Sequence, residues 1–254
     1  MQSLGAWAAS MPGIRPLLKL SYALNHELGA GVRGFRAVNV LIHAGNALLV
    51  LALLRRRALA QGLCESRARA VALIAALLFA LHPLQTEAVT YVSGRSSSLV
   101  ALCSLGALLA WLRSFDASAH AAGWRVLTLL LVVAAFAVKE TAVALPLAFV
   151  AWAWTLPHTD AGANAVLRRQ LQSLLPVAIV CLGVATLLAC ITPYGDLLRA
   201  SLGVRDPWQN LLTQSHAVPY LLGKLVCIDQ LNADPDLAPV LVLDAGTGLR
   251  LLLL

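Results

Sequence analysis

The sequence predicts an all-α fold: a multi-pass bundle of about six to seven transmembrane helices. Three observations predict it. The 254 residues are 59% hydrophobic and only 12% charged, with a mean hydropathy of +0.78, whereas a soluble domain is about half apolar and a quarter charged. The apolar residues fall in long blocks rather than at the helical or strand spacing of half-buried soluble elements. Several blocks approach the roughly 20 residues needed to cross a hydrocarbon core of about 30 Å.

The first block, AVNVLIHAGNALLVLALL (37–54), ends at Arg55, Arg56 and Arg57, and Arg67 and Arg69 continue the same basic loop. A second span, 70–81, stops at His82-Pro83 because proline disfavours helix at the residue before it. Residues 84–98 are short and polar. A third span, 99–112, meets Arg113, and a polar stretch with Asp116, His120 and Arg125 follows. Residues 126–156 are apolar except for Lys139-Glu140. One straight helix of that length would run about 46 Å, too long for one crossing. Two short spans with a tight turn at Lys139-Glu140 are therefore predicted. A polar loop carrying Arg168 and Arg169 leads to a span over 174–191. The polar region 192–216, a short apolar stretch 217–228 and an acidic loop 229–239 come next, and the closing GLRLLLL reads as the start of a further helix.

The loops set an orientation. The arginines of 55–69, 113–125 and 168–169 fall on one face, while the opposite short loops offer only Arg95 and Lys139. By the positive-inside rule the first set is cytoplasmic. The chain then divides into an N-terminal non-cytoplasmic segment (1–36), a transmembrane helical domain (37–228), and an outer loop with a truncated helix start (229–254). Residues 1–34 hold no apolar core of a cleavable signal peptide. The net charge of +7 raises a nucleic-acid partner, but the arginines stand between apolar blocks and no aromatic-rich basic groove accompanies them, which excludes it. Cys64, Cys103, Cys181, Cys190 and Cys227 form no CxxC pair and read as small hydrophobes. With no Walker, HExxH, GxSxG or GxGxxG motif, neither a metal nor a cofactor is expected.

Ionisable groups at membrane depth are costly and usually have a partner or a task. Three clusters stand out, all on the outer side: His82-Pro83-Leu84-Gln85-Thr86-Glu87-Ala88-Val89 with Gly94-Arg95; Lys139-Glu140-Thr141-Ala142; and Arg15-Pro16-Leu17 leading to Leu24-Asn25. Arg95 and Lys139 are expected to hold a phosphate or pyrophosphate jointly, Arg as a bidentate fork and Lys as a point charge. Glu87 or Glu140 would orient an acceptor hydroxyl. The alternative is that Lys139–Glu140 and Arg95–Glu87 are mutual ion pairs marking the water interface. His82 serves either as a helix-end hydrogen-bonding group or as a ligand contact. Asn39, His43 and Asn46 share one face of the first span, and interhelical hydrogen bonding is favoured over a proton relay. Trp111, Trp124, Trp152 and Trp154 fit an aromatic belt.

The string His82 to Val89 with Val92-Ser93-Gly94-Arg95 resembles a motif of the transmembrane and tetratricopeptide-repeat O-mannosyltransferases and their bacterial relatives. Further matches follow in order: Arg15-Pro16-Leu17, Leu20 to Asn25, Val38-Asn39 with His43, Lys139 to Ala142, Gln214 to Tyr220, and Leu231-Asn232-Ala233-Asp234. The resemblance runs over most of the chain and implies a C-type glycosyltransferase fold. It implies transfer of a sugar, most simply mannose, from a polyprenyl-phosphate donor in the membrane lipid to a protein or glycan acceptor on the non-cytoplasmic face. The host membrane would be a bacterial inner membrane or the endoplasmic reticulum. It assigns Arg95 and Lys139 to the lipid phosphate; Glu87 and Glu140 are the candidate catalytic acids on their own position rather than on the family motif, and His82, Arg15 and Gln214 are candidate supporting residues. The family's first helix, its acidic first-loop motif and its C-terminal repeats are unmatched, and Glu27 is the only acid before the first span. The resemblance thus implies an incomplete member, from which no transfer is expected alone. Competing expectations are a small-solute transporter, whose charges would lie near the bilayer midplane, and a non-catalytic membrane scaffold.

Overall fold

The computed structural model describes residues 15–29, 31–116, 120–155, 161–190, 195–196, 199–200, 203, 206–227 and 240. Within them all regular structure is helical: α1 (Pro16–Glu27), α2 (Gly31–Ala60), α3 (Glu65–Leu81), α4 (Gln85–Thr90), α5 (Arg95–Arg113), α6 (Ala121–Val138), a 3-10 turn (Glu140–Ala144), α7 (Leu145–Trp154), α8 (Ala161–Ser173), α9 (Leu175–Cys190) and α10 (Pro207–Gly223). The chain forms two compact units, Met1–Thr186 and Leu187–Leu254. Among the described residues four helical stretches are long and apolar enough to cross a membrane: Gly31–Ala60, Arg95–Arg113, Ala121–Val138 and Ala165–Cys190. The all-α bundle expected from composition is thus the fold.

In the first unit α2 packs against α3 and α5, α5 packs against α6, and α1 lies on α2, α5 and α6. α3 buries small residues and shows large ones outward. On α3 the buried face is Ala68, Ala72 and Ala76, while Val71, Ile74, Leu77, Leu78 and Leu81 are exposed. In water that distribution would be inverted. In lipid it is favourable, since tails solvate leucine as well as a protein core does and close backbone approach supplies the helix–helix attraction. At Gly45 an added Cβ would stand 3.0 Å from the Leu102 side chain, so α2 and α5 touch nearly backbone to side chain there.

Helix ends follow local chemistry. α3 ends at His82, whose extended backbone (φ −66°, ψ 129°) is the conformation that Pro83 demands. α2 ends in a Schellman arrangement: Gly62 takes φ 84°, its N–H donates to Leu59 O, and the Leu63 N–H donates to Ala58 O. α6 stops at Val138, and the extended Lys139 turns the chain into the 3-10 segment, the break expected at Lys139-Glu140.

Several boundaries differ from the sequence expectation: α8 (Ala161–Ser173) is a helix where a polar loop with Arg168 and Arg169 was expected, and α3 and α5 begin earlier, at Glu65 and Arg95. α2 starts at Gly31 and continues through Arg55–Arg57 to Ala60, because arginine is a good helix former and the apolar block marks only its lipid-contacting part. α1 was not expected at all, and Pro16 at its first turn is the signal for it. In the second unit α10 begins at Pro207 inside the stretch read as a polar loop. Asp206 caps it, its Oδ1 accepting from the Gln209 N–H at 2.8 Å. The acidic loop 229–239 and the closing GLRLLLL lie outside the described residues.

Candidate functional site

The N-terminal end of α5 gathers the motif residues. Arg95 is its first residue and is fully buried. A guanidinium carries five N–H donors, and Arg95 commits its fork within the protein. Nε donates to Asn39 Oδ1 at 2.7 Å. Nη1 donates to Ser21 O at 3.0 Å and Ser21 Oγ at 3.5 Å. Nη2 donates to Asn25 Oδ1 at 2.7 Å and Phe35 O at 3.0 Å. The rings of Tyr22 and Phe35 face the guanidinium with centroids at 4.6 and 5.4 Å, adding cation–π attraction. Among the described residues no carboxylate pairs with Arg95. Its charge is solvated entirely by neutral oxygens and aromatic faces.

The same cation organises the loop before it. The Asn39 amide donates to Val89 O at 3.3 Å and Tyr91 O at 3.0 Å, and the Tyr22 hydroxyl donates to Val92 O at 2.7 Å. Burial pushes the Tyr22 phenol above its ordinary pKa, and the neighbouring Arg95 opposes the shift. Gly94 is required by space: a Cβ there would lie 2.5 Å from Glu87 O and 2.9 Å from Ala88 Cα. Deeper in the bundle His43 Nε2 meets Ala80 O at 3.0 Å, its ring stacked on Phe79. The Asn46 amide donates to Ser98 O at 2.9 Å. Asn39, His43 and Asn46 therefore act as interhelical hydrogen-bonding groups, as their shared helix face suggests.

Around this core stand the other charged candidates. Arg15 grips Glu140 bidentately, Nε to Oε1 at 3.1 Å and Nη2 to Oε2 at 2.8 Å. The Lys139 ammonium donates to Ser97 Oγ at 3.3 Å, on the first turn of α5. Glu87 is exposed on α4, without an ion-pair partner among the described residues. His82 accepts from the Leu84 N–H through Nδ1 at 3.2 Å, the helix-end role. The two ion pairs weighed from sequence, Lys139–Glu140 and Arg95–Glu87, do not form. Glu140 takes Arg15 instead, and Arg95 takes no acid. Arg95 begins α5 and Lys139 contacts Ser97 on its first turn, but the fork of Arg95 is committed within the protein, whereas among the described residues Lys139 donates to a neutral hydroxyl alone. Gln214 is exposed on α10 in the second unit.

Sequence reasoning quoted Ser21, Tyr22 and Asn25 as motif residues without a task, and did not single out Phe35 or Ser97. The signal was present: Ser21 and Asn25 stand four apart, hence on one face of a helix that Pro16 announces.

No protein-family profile matches the chain, and no solved structure matches it. Curated proteins do. The chain is 34% identical over 138 residues to protein O-mannosyl-transferase TMTC4 of Homo sapiens, covering 50% of this chain and 19% of that protein. It is 38% identical over 113 residues to protein O-mannosyl-transferase Tmtc3 of Drosophila melanogaster, 39% of this chain and 12% of that protein. With protein O-mannosyl-transferase TMTC3 of Mus musculus it shares 32% identity over 193 residues, 70% of this chain and 20% of that protein. The chain is thus a relative of the TMTC protein O-mannosyl-transferases, and it spans a fifth or less of the length of these relatives.

Proposed function

We propose that this chain forms the donor-handling part of a membrane glycosyltransferase. It holds a sugar, most simply mannose, on polyprenyl phosphate at the end of the bundle that carries Arg15, Lys139 and Glu140, and that end is non-cytoplasmic. The observation that carries this proposal is the Lys139 ammonium, set at the end of an apolar helix with the Ser97 hydroxyl as its partner. A phosphate leaving group gains charge as the sugar departs, and a fixed cation at a helix end stabilises it. The relatives supply the chemistry by name: they are protein O-mannosyl-transferases.

The acid roles separate by partner. Glu140 is tied to Arg15, so it braces the turn after α6. Glu87 is exposed and unpaired among the described residues, suited to take the proton of a protein or glycan hydroxyl as that oxygen bonds to the anomeric carbon and the phosphate leaves with its electron pair. Arg95 is a positioning residue: it fixes α1, α2 and the start of α5, and through them Ser97. Transfer is favoured over solute transport because the four long apolar helices carry their charges towards their ends, away from the midplane where transporters bind substrate.

The test is binding of labelled polyprenyl-phosphate mannose to the chain in nanodiscs. Lys139→Gln is expected to weaken it about tenfold, the worth of one charge-assisted hydrogen bond. If that variant binds as wild type does, and neutral polyprenol binds as tightly as its phosphate, phosphate recognition here is excluded. The face is tested separately, in sealed vesicles and a background stripped of other cysteines. Cys64 and Ser97→Cys should label from opposite sides; labelling from one side overturns the orientation.

A further inference from the structure

The opposite, arginine-rich end of the first unit carries an unassigned cavity. The end of α5, the start of α6 and the junction of α8 and α9 enclose about 480 Å³. Its walls are largely apolar, with Trp111 and Phe115 from α5, Leu129 from α6, and Val177 from α9. They are held in place, since the Trp111 indole N–H donates to Ser173 Oγ at 2.9 Å and the ring stands 5.3 Å from both Phe115 and Phe149. Ser114, Thr128, Gln172 and Ser173 add neutral polar groups, Arg125 and Arg169 add two cations, and no Asp or Glu among the described residues lines it.

Three other arginines of this end are used differently. Arg55 and Arg69 share Glu65, and Arg56 grips Asp116. Arg125 and Arg169 make no ion pair or hydrogen bond with the described residues. Arg169 merely lies over the Phe115 ring, 5.8 Å from its centroid. Two exposed guanidiniums at the rim of a largely apolar cavity, with no acid in its lining, make the site electropositive and favour an anion there. The guanidinium fork matches phosphate oxygens bidentately. Beside helices that expose leucine and valine to lipid, the anion that also fills an apolar cavity is a phosphate carrying acyl chains.

We infer that this cavity binds an anionic membrane phospholipid, with its phosphate between Arg125 and Arg169 and an acyl chain against Trp111, Leu129 and Val177. This site stands apart from the Lys139 end and does not rest on the function proposed there.

The full chain, purified in neutral detergent, is titrated with phosphatidylglycerol, phosphatidylcholine or glycerol 3-phosphate, and bound lipid is counted by native mass spectrometry. Phosphatidylglycerol should bind preferentially. Arg125→Gln and Arg169→Gln should each weaken it about fivefold and the double variant about 25-fold, on roughly 1 kcal/mol per basic residue. Both arginines are exposed, so the variants should fold, and Arg125→Lys should retain most of the binding. Arg168→Gln, next to the cavity but outside its lining, should change nothing. Equal binding of phosphatidylcholine, unchanged binding in the double variant, or an equal loss in Arg168→Gln would each overturn the site. Glycerol 3-phosphate binding as tightly as the phospholipid would overturn the lipid assignment.

Discussion

Arg95 and the ion-paired arginines at the opposite end of the first unit are used in opposite ways. At one end Arg95 is fully buried, takes no acid and satisfies itself on Asn39, Asn25, Ser21 and Phe35. At the other, Arg55, Arg56 and Arg69 are at least a third exposed and lean on Glu65 and Asp116. A buried cation surrounded by neutral oxygens is costly to move, because each acceptor it leaves is stranded without water. An exposed ion pair is cheap to break, because water replaces either partner. The first arrangement fixes geometry, and the second marks an interface and supports topology.

The largest effect that sharpens this contrast is expected at Arg95. Arg95→Ala strands the buried amide oxygens of Asn25 and Asn39, a loss of roughly 2–6 kcal/mol at about 1–3 kcal/mol for each buried orphan, read from thermal unfolding in detergent. Arg95→Lys should recover little, since an ammonium cannot span acceptors arranged for a fork. A variant at this position as stable as wild type would erase the distinction between the ends. Gly94→Ala comes next. Its methyl would collide with the Glu87 carbonyl, and overpacking of this kind costs about 1–3 kcal/mol. It should also weaken donor binding by shifting Ser97 and Lys139; an effect on stability alone would separate the loop from the site.

The smallest effect is expected at the other end, where Arg56→Gln should cost under about 1 kcal/mol and less still in high salt. Its pH dependence has a definite sign. The Arg56 guanidinium holds the Asp116 carboxyl below its ordinary range, with Arg113 assisting. A carboxyl with a lowered folded-state pKa contributes stability that is full above its unfolded value and is lost as the pH falls through the lowered one. Stability of wild type and Arg56→Gln should therefore converge below the ordinary aspartate range and differ above it. A difference that grows on acidification would contradict the pairing.

Much of the architecture was legible because lipid imposes simple rules. Block length announced helices, His82-Pro83 announced the end of α3, and Lys139-Glu140 announced the break after α6. Helix ends were less legible: hydropathy reports which residues meet lipid, and Arg55–Arg57 continue a helix past that region. The site was legible as a set of residues and not as a set of partners. Arg15 to Glu140 spans 125 positions, a separation that no local spacing encodes. Arg95 looked like a ligand contact because an arginine in a membrane protein demands an anion or a reason. The reason lay in Ser21, Asn25 and Phe35, on segments whose mixed polarity hid their helices.

The Arg95 cluster also has a consequence for biogenesis. Its acceptors lie far earlier in the chain than its donor: Asn39 precedes it by 56 residues and Asn25 by 70. At about 5–20 residues per second, α1 and the start of α2 wait roughly 3–14 s after synthesis for the guanidinium that completes them. During that interval Asn25 and Asn39 lack the partner that the finished fold gives them. This end of the unit can close only once α5 has been made, so the order of the chain itself schedules its assembly.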